Sequence, residues 1–112
     1  MVKRQQVREL LEKFGFEGLK ERSNDPTFRL YFSAHHPKKD VHVLISANAG
    51  KRHDGGRFGK PPCKRHVKVE IMDKLAQPLP GVKSLVVVTR LNEIMKILEG
   101  AATGTFPRCV AA

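Results

Sequence analysis

Three segments of the chain alternate apolar with polar residues, and this alternation constrains the fold more than any other feature. The segments are 28–34, 41–46 and 67–71. A period of two is typical of a strand with one buried and one exposed face. HHPKKD separates the first two segments and predicts a turn with Pro37 at its tip. We therefore expect an antiparallel hairpin and a further strand, with a shorter strand around residues 16–22.

Two other segments carry apolar residues at the i, i+3, i+4, i+7 spacing of an amphipathic helix. The first stripe consists of Val7, Leu10, Leu11 and Phe14, and the second consists of Leu91, Ile94, Met95 and Leu98. We expect Gly15 to end a first helix over residues 3–14. Thr89 is the predicted N-cap of the second helix and Gly100 its predicted end. Leu11 and Met95 lie at the centres of the stripes and are expected to be buried.

The run LVVV at residues 85–88 has no polar position. Such a run predicts a strand that is buried on both faces and lies centrally in a sheet. The sequence as a whole therefore predicts an α+β fold, with N- and C-terminal amphipathic helices packed on one face of a mainly antiparallel sheet of about four or five strands. We expect a single domain over residues 1–100, which is long enough for one core, and a flexible tail over residues 101–112.

The chain is strongly basic, and this charge bears on its partner. Its 112 residues include 21 Lys and Arg against 11 Asp and Glu, which gives a net charge of +10 and a pI near 10.1. Such an excess is typical of proteins that bind the phosphate backbone of RNA or DNA. No apolar run is long enough to span a membrane, and the N-terminus lacks the apolar core of a secretion signal. We expect a cytoplasmic protein with reduced cysteines and no membrane partner.

Residues 48–65 contain four glycines and two prolines without hydrophobic periodicity, which predicts a long mobile loop. Residues 51–68 carry seven basic side chains and one acidic one, a net +6. Glycines would let the backbone approach phosphates while the cations neutralise them, and Phe58 could stack on a base. The predicted phosphate contacts are Lys51, Arg52, Arg57, Lys60, Lys64, Arg65 and Lys68. GGRFGK is not a P-loop, because Pro61 stands where that motif requires Ser or Thr.

The predicted sheet would present one polar face to solvent. Its members by alternation are Arg29, Tyr31, Ser33, His42, Ser46, Lys68 and Glu70. An open face with an interleaved aromatic can serve as a nucleic-acid platform, although most antiparallel sheets simply expose one face to water. Arg29 and Tyr31 are therefore further candidate contacts.

Cys63 and His66 form a CxxH half-site, which His35, His36 and His53 could complete as zinc ligands. No second closely spaced cysteine pair accompanies it, so we expect no metal and no cofactor. The five histidines are also candidate general acids or bases, but no partner accompanies them in a known motif. We therefore assign no catalytic residue.

RELLEKFGFE followed by YFSAHHPKKDVHVLIS resembles the helix, strand, turn, strand layout of HicA-type mRNA interferases, which are small basic proteins with a fold like that of double-stranded-RNA-binding domains. The resemblance covers under half of the chain. It implies ribonuclease activity through a catalytic histidine, supplied in that family by a glycine, serine, histidine motif ahead of the first hairpin strand. The corresponding stretch here is NDPTFRLY and contains no histidine.

The leading interpretation is a non-enzymatic protein that binds nucleic acid through its basic loop. A second interpretation is an inhibitor or adaptor protein, which would dock the same loop on a protein complex that handles nucleic acid. A third is a histidine-dependent ribonuclease of the HicA type.

Overall fold

Helices and strands are described for residues 2–22, 24, 26–48 and 66–105 in a computed structural model of the chain. The elements, in order, are α1 (Arg4–Lys13), β1 (Glu17–Glu21), β2 (Phe28–His36), β3 (Val41–Asn48), β4 (Val67–Asp73), β5 (Leu85–Val88) and α2 (Leu91–Thr103). The predicted α+β class is confirmed. Residues 49–65, which make up nearly all of the predicted loop, and residues 106–112 lie outside the described residues.

The five strands form one sheet in the order β1-β2-β3-β4-β5, and every neighbouring pair is antiparallel. Phe32, Ile45 and Val69 stand opposite one another across β2, β3 and β4, and all three are buried. Residues that stand directly opposite in an antiparallel sheet share a face. The alternation in the sequence therefore predicted both the strands and their buried face.

The core takes in both helices and the buried positions of the strands. Its members form one cluster, which includes Val7, Leu11, Leu30, Phe32, Ile45, Val69, Ile71, Ile94, Leu98 and Ala101. Leu11 is fully buried, as its central place in the first stripe predicted. α1 contacts both α2 and β2.

β5 corrects one prediction. It lies at the edge of the sheet and not at its centre, and among the described strands it pairs only with β4. Leu85 and Val87 are 44% and 51% exposed, whereas Val88 is buried. A continuous apolar run predicts that a strand is buried on both faces, but the position of a strand depends on its pairing partners, which composition does not specify.

α2 corrects three further predictions. The helix continues through Gly100 to Thr103 and ends at Gly104, whose φ of +86° is the left-handed conformation that glycine adopts readily. Its N-cap is Arg90 and not Thr89. Met95 is only partly buried, because the inward stripe is shifted. That stripe consists of Ile94, Ile97, Leu98 and Ala101.

β1 is joined to the end of α1 by a short turn. The helix ends at Lys13, and Gly15 has a φ of +81°, as expected for the glycine that stops it. Phe16 then packs into the core with its ring at 5.3 Å from that of His36. The pairing of β1 with β2 shifts register between Glu17 and Lys20, which indicates a bulge or irregularity.

Candidate functional site

The second face of the sheet, which we call the open face, carries polar side chains in rows that cross the strands. The pairings define three rows, which are Tyr31–Ser46–Lys68–Val87, Lys20–Ser33–Leu44–Glu70–Leu85 and Glu17–His35–His42–Met72. Lys68 and Lys20 are exposed, whereas Tyr31, Ser33, His42 and Glu70 are partly exposed. Ser46 is buried although it was predicted to face solvent, since it lies between Tyr31 and Lys68 in its row.

Tyr31 is the centre of an aromatic and cationic cluster on the open face. The ring of Phe28 meets it edge-on, with centroids 5.0 Å apart. The guanidinium carbon of Arg22 lies 4.7 Å from the centre of the Tyr31 ring, and the backbone N–H of Arg22 donates to the Tyr31 carbonyl oxygen at 3.0 Å. These contacts hold a cation beside a partly exposed aromatic ring, which is the chemistry that nucleic-acid bases and phosphates both recognise.

The Tyr31 cluster lies at the end of the sheet where the predicted basic loop is attached. Asn48, the last residue of β3, stands opposite Phe28, and Lys68 stands opposite Ser46 near the start of β4. The described residues on either side of residues 49–65 therefore belong to the same end of the sheet as Tyr31. The predicted contacts outside the described residues are Lys51, Arg52, Arg57, Phe58, Lys60, Lys64 and Arg65.

Arg29 does not belong to the open face, contrary to the alternation. The register of β2 and β3 shifts between Phe28 and Leu30, and the Arg29 guanidinium donates to the carbonyl oxygen of Val2, ahead of α1. Arg4 in turn donates to the Arg29 carbonyl oxygen at 2.8 Å. Burial lowers the pKa of Arg29 below its ordinary value. We therefore interpret Arg29 as a residue that attaches the N-terminal segment to the sheet.

His35 and His42 stack against each other on the open face, which sequence reasoning missed. Their ring centroids are 5.4 Å apart with 29° between the ring planes. Together with Lys20 and Met72 they line a cleft of about 220 Å³. The sequence predicted that these two strands pair, but it assigned His35 and His36 to the turn, whereas β2 continues through His36 and the turn is limited to residues 37–40. The observed register then puts His35 opposite His42.

The structure separates two of the histidines that were considered as zinc ligands. His36 is buried beside Phe16, whereas His35 lies on the open face, because consecutive residues of a strand point to opposite faces. His53 and Cys63 lie outside the described residues. Within the described ranges, no group of three or more His, Cys, Asp or Glu side chains is placed to hold a metal ion.

Comparison with protein-family models, with curated proteins and with solved structures finds no match to this chain. Among residues 2–22, 24, 26–48 and 66–105, no helix is long and apolar enough to cross a membrane. Any proposal for function therefore depends on the charge of the chain and on the chemistry of the open face.

Proposed function

We propose that the protein binds RNA or DNA across the open face and through the basic side chains of residues 49–65. The observation that carries the proposal is the placement of Tyr31, Arg22 and Lys68 at the end of the sheet where that segment is attached. The accessible part of the Tyr31 ring can stack on a base of any identity, while flanking cations neutralise phosphates. The net charge of +10 favours the same class of partner.

In this proposal, α1 and α2 both cover the opposite side of the sheet and leave the open face to the ligand. Its support is the single core cluster, which contains Val7 and Leu11 from α1 and Ile94 and Leu98 from α2. Addition of a single-stranded oligonucleotide should then shift the amide resonances of Tyr31 and its neighbours. The exposed residues of both helices should not shift, and shifts confined to the helices would contradict this arrangement.

The test of the basic segment is a comparison of two variants with equal charge. One replaces Arg52, Arg57, Lys60, Lys64 and Arg65 with Ala, and the other replaces Lys38, Lys39, Lys74, Lys83 and Lys96. All five control lysines are exposed, and Lys38 and Lys39 lie in the β2–β3 turn, at the end of the sheet away from Tyr31. We expect the first variant to lose nearly all binding and the control to keep most of it.

The salt dependence of binding shows whether the lost cations contacted phosphates. Each lost contact should lower the slope of log affinity against log salt by about 0.9 on duplex DNA and about 0.7 on single strands. Single Ala substitutions in the segment should weaken binding modestly and alike for all base sequences. An unchanged slope in the folded fivefold variant would contradict a role for residues 49–65.

Substitutions of Tyr31 distinguish the contribution of base stacking from that of charge. Tyr31→Ala should weaken binding of single strands by about 1–3 kcal/mol, whereas Tyr31→Phe should retain most of the affinity because the ring remains. Neither change should alter the salt slope, since neither removes a cation. No binding to any nucleic acid, combined with co-purification of one protein partner, would instead favour the inhibitor or adaptor interpretation.

A second candidate function is metal-independent cleavage of RNA, and the contact between His35 and His42 favours it. Two imidazoles beside Lys20 provide a general base, a general acid and a cation in one cleft. Such an activity would require the ribose 2′-hydroxyl, so it should cleave RNA and not DNA of the same sequence. Retention of cleavage by the folded His42→Ala variant would contradict it.

A further inference from the structure

β5 has the composition of an interior strand but lies at an edge. It carries four consecutive apolar residues without a charge, proline or glycine, and Leu85 and Val87 remain about half exposed. Among the described strands, none pairs with its outer side. An apolar edge with unpaired backbone groups is a template for another strand, and proteins that remain monomeric usually blunt such edges.

We propose that a second copy of this chain pairs with β5, so that β5 becomes an interior strand of a ten-stranded sheet. The two β5 strands run antiparallel around a twofold axis at Val86. This inference does not depend on the proposed function, because the pairing uses the backbone edge of β5 and needs no nucleic acid. It accounts for both the apolar composition of β5 and its edge position in the single chain.

The pleat of the strand restricts the register of this pairing. Cross-strand partners must share a face, and Val86 and Val87 lie on opposite faces because they stand opposite Val69 and Lys68. Registers that put Val86 opposite Val87 are therefore excluded. A register centred on Val86 puts Leu85 of each copy opposite Val87 of the other, so the two half-exposed side chains cover each other.

Registers centred on Val87 or on Leu85 pair an exposed apolar side chain with a polar one. Centring on Val87 puts Leu85 opposite Thr89, and centring on Leu85 puts Val87 opposite the exposed Lys83. With Val86 at the centre, Lys83 stands opposite Thr89 and Arg90 opposite Val82. This register therefore pairs the two half-exposed apolar side chains, Leu85 and Val87, and brings no two cations directly opposite each other.

The charge of the chain gives the association a distinctive salt dependence. Two copies with a net charge of +10 each repel one another, and added salt screens that repulsion. Dimerisation should therefore strengthen as the NaCl concentration rises, whereas binding of nucleic acid should weaken. Sedimentation equilibrium of the full chain without nucleic acid should show a monomer–dimer equilibrium with this trend.

Val87→Lys should shift that equilibrium to monomer, since an outward lysine on an edge strand opposes pairing. The matched control is Leu75→Lys, which also replaces an exposed apolar residue but lies in the turn after β4. The control should dimerise like the original chain. Monomer at every protein and salt concentration in the original chain, or equal loss of dimer in both variants, would overturn the proposal.

A cysteine at position 86 tests the register. In a background with Cys63→Ser and Cys109→Ser, the two copies of residue 86 in Val86→Cys would have Cα atoms about 4.5–5.5 Å apart, which suits a disulfide. We expect oxidation to give a covalent dimer. In the control Ser84→Cys, the two cysteines would lie roughly 13 Å apart along the strands and should not bridge. Equal crosslinking of both folded variants would contradict the register, and absence of a bridge at 86 would contradict the dimer.

Discussion

The two edges of the sheet are built from opposite kinds of sequence. β1 reads EGLKE, with exposed Glu17 and Lys20 and a register shift between them. β5 reads LVVV and pairs regularly with β4. Charges and bulges prevent an edge strand from pairing with another chain, whereas a regular apolar edge strand favours such pairing. Among the described strands, the comparison therefore makes β5, and not β1, the edge suited to the pairing proposed above.

The two edges also differ in how they are attached to the rest of the chain. In β1, Glu21 accepts a hydrogen bond from Arg8 of α1 at 2.7 Å, and Arg4 lies 4.0 Å from the same carboxylate. Phe16, just before β1, packs into the core. In β5 the apolar side chain of Val88 is buried in that core. The following predictions test whether β1 is an anchored edge and β5 an associating one.

Phe16→Ala should have the largest effect on stability. The side chain is 6% exposed and contacts His36, so its truncation should lower the free energy of unfolding by about 3–5 kcal/mol. Val88→Ala, the counterpart at β5, removes less apolar volume and should cost about 2 kcal/mol. Urea denaturation measures both values. A larger cost at Val88 than at Phe16 would show that β5 is the better anchored edge.

Gly18→Ala should have the next largest effect. Gly18 has a φ of +64°, and an added Cβ would lie 2.7 Å from Cε1 of His35. Both the conformation and the clash should destabilise the chain, by about 2–3 kcal/mol in total. In a His35→Ala background only the conformational cost of about 1 kcal/mol should remain. A double-mutant cycle by denaturation measures the difference, and strict additivity would show that His35 does not pack on Gly18.

The strands were predictable because their alternation is a local property of the sequence. Phe32, Val43 and Val69 were expected on a buried face and are found there. The position of β5 was not predictable in this way, because an edge is defined by the strand that is missing beside it. The stripe of α2 was misassigned for a simpler reason: Gly100 was taken as the end of the helix, so Ala101 was not counted in the inward face.

In the candidate site, too, the local pattern predicted which face of the sheet most residues occupy, but it did not predict the register of the strands. Tyr31 and Lys68 lie on the open face as alternation predicted, whereas Arg29 does not because of the register shift beside it. The contact between His35 and His42 depends on the register of the hairpin, which its turn residues alone do not specify. The basic contacts predicted in residues 49–65 stay predictions.

Glu21→Gln should have a smaller effect on stability than Gly18→Ala. It weakens the charged contact with Arg8 but retains the size of the side chain, and partly exposed ion pairs contribute about 0.5–1 kcal/mol or less. The loss should be greatest at low ionic strength and should shrink as salt is added. Denaturation at two salt concentrations measures it. A salt-independent loss would mean that Glu21 acts through packing and not through charge.

Lys20→Val should have the smallest effect, although it makes β1 resemble β5 in composition. Lys20 is exposed and stands opposite Ser33, so its replacement should change the free energy of unfolding by less than about 0.5 kcal/mol. The register shift between Glu17 and Lys20 should remain and should still prevent a regular ladder with another chain. Sedimentation velocity should therefore show the same species as the original chain. If β1 also paired with another chain, both edges of the sheet would associate and the assemblies would grow without limit. Large assemblies of the variant would therefore show that the charge of Lys20, and not the irregular backbone, prevents pairing at β1.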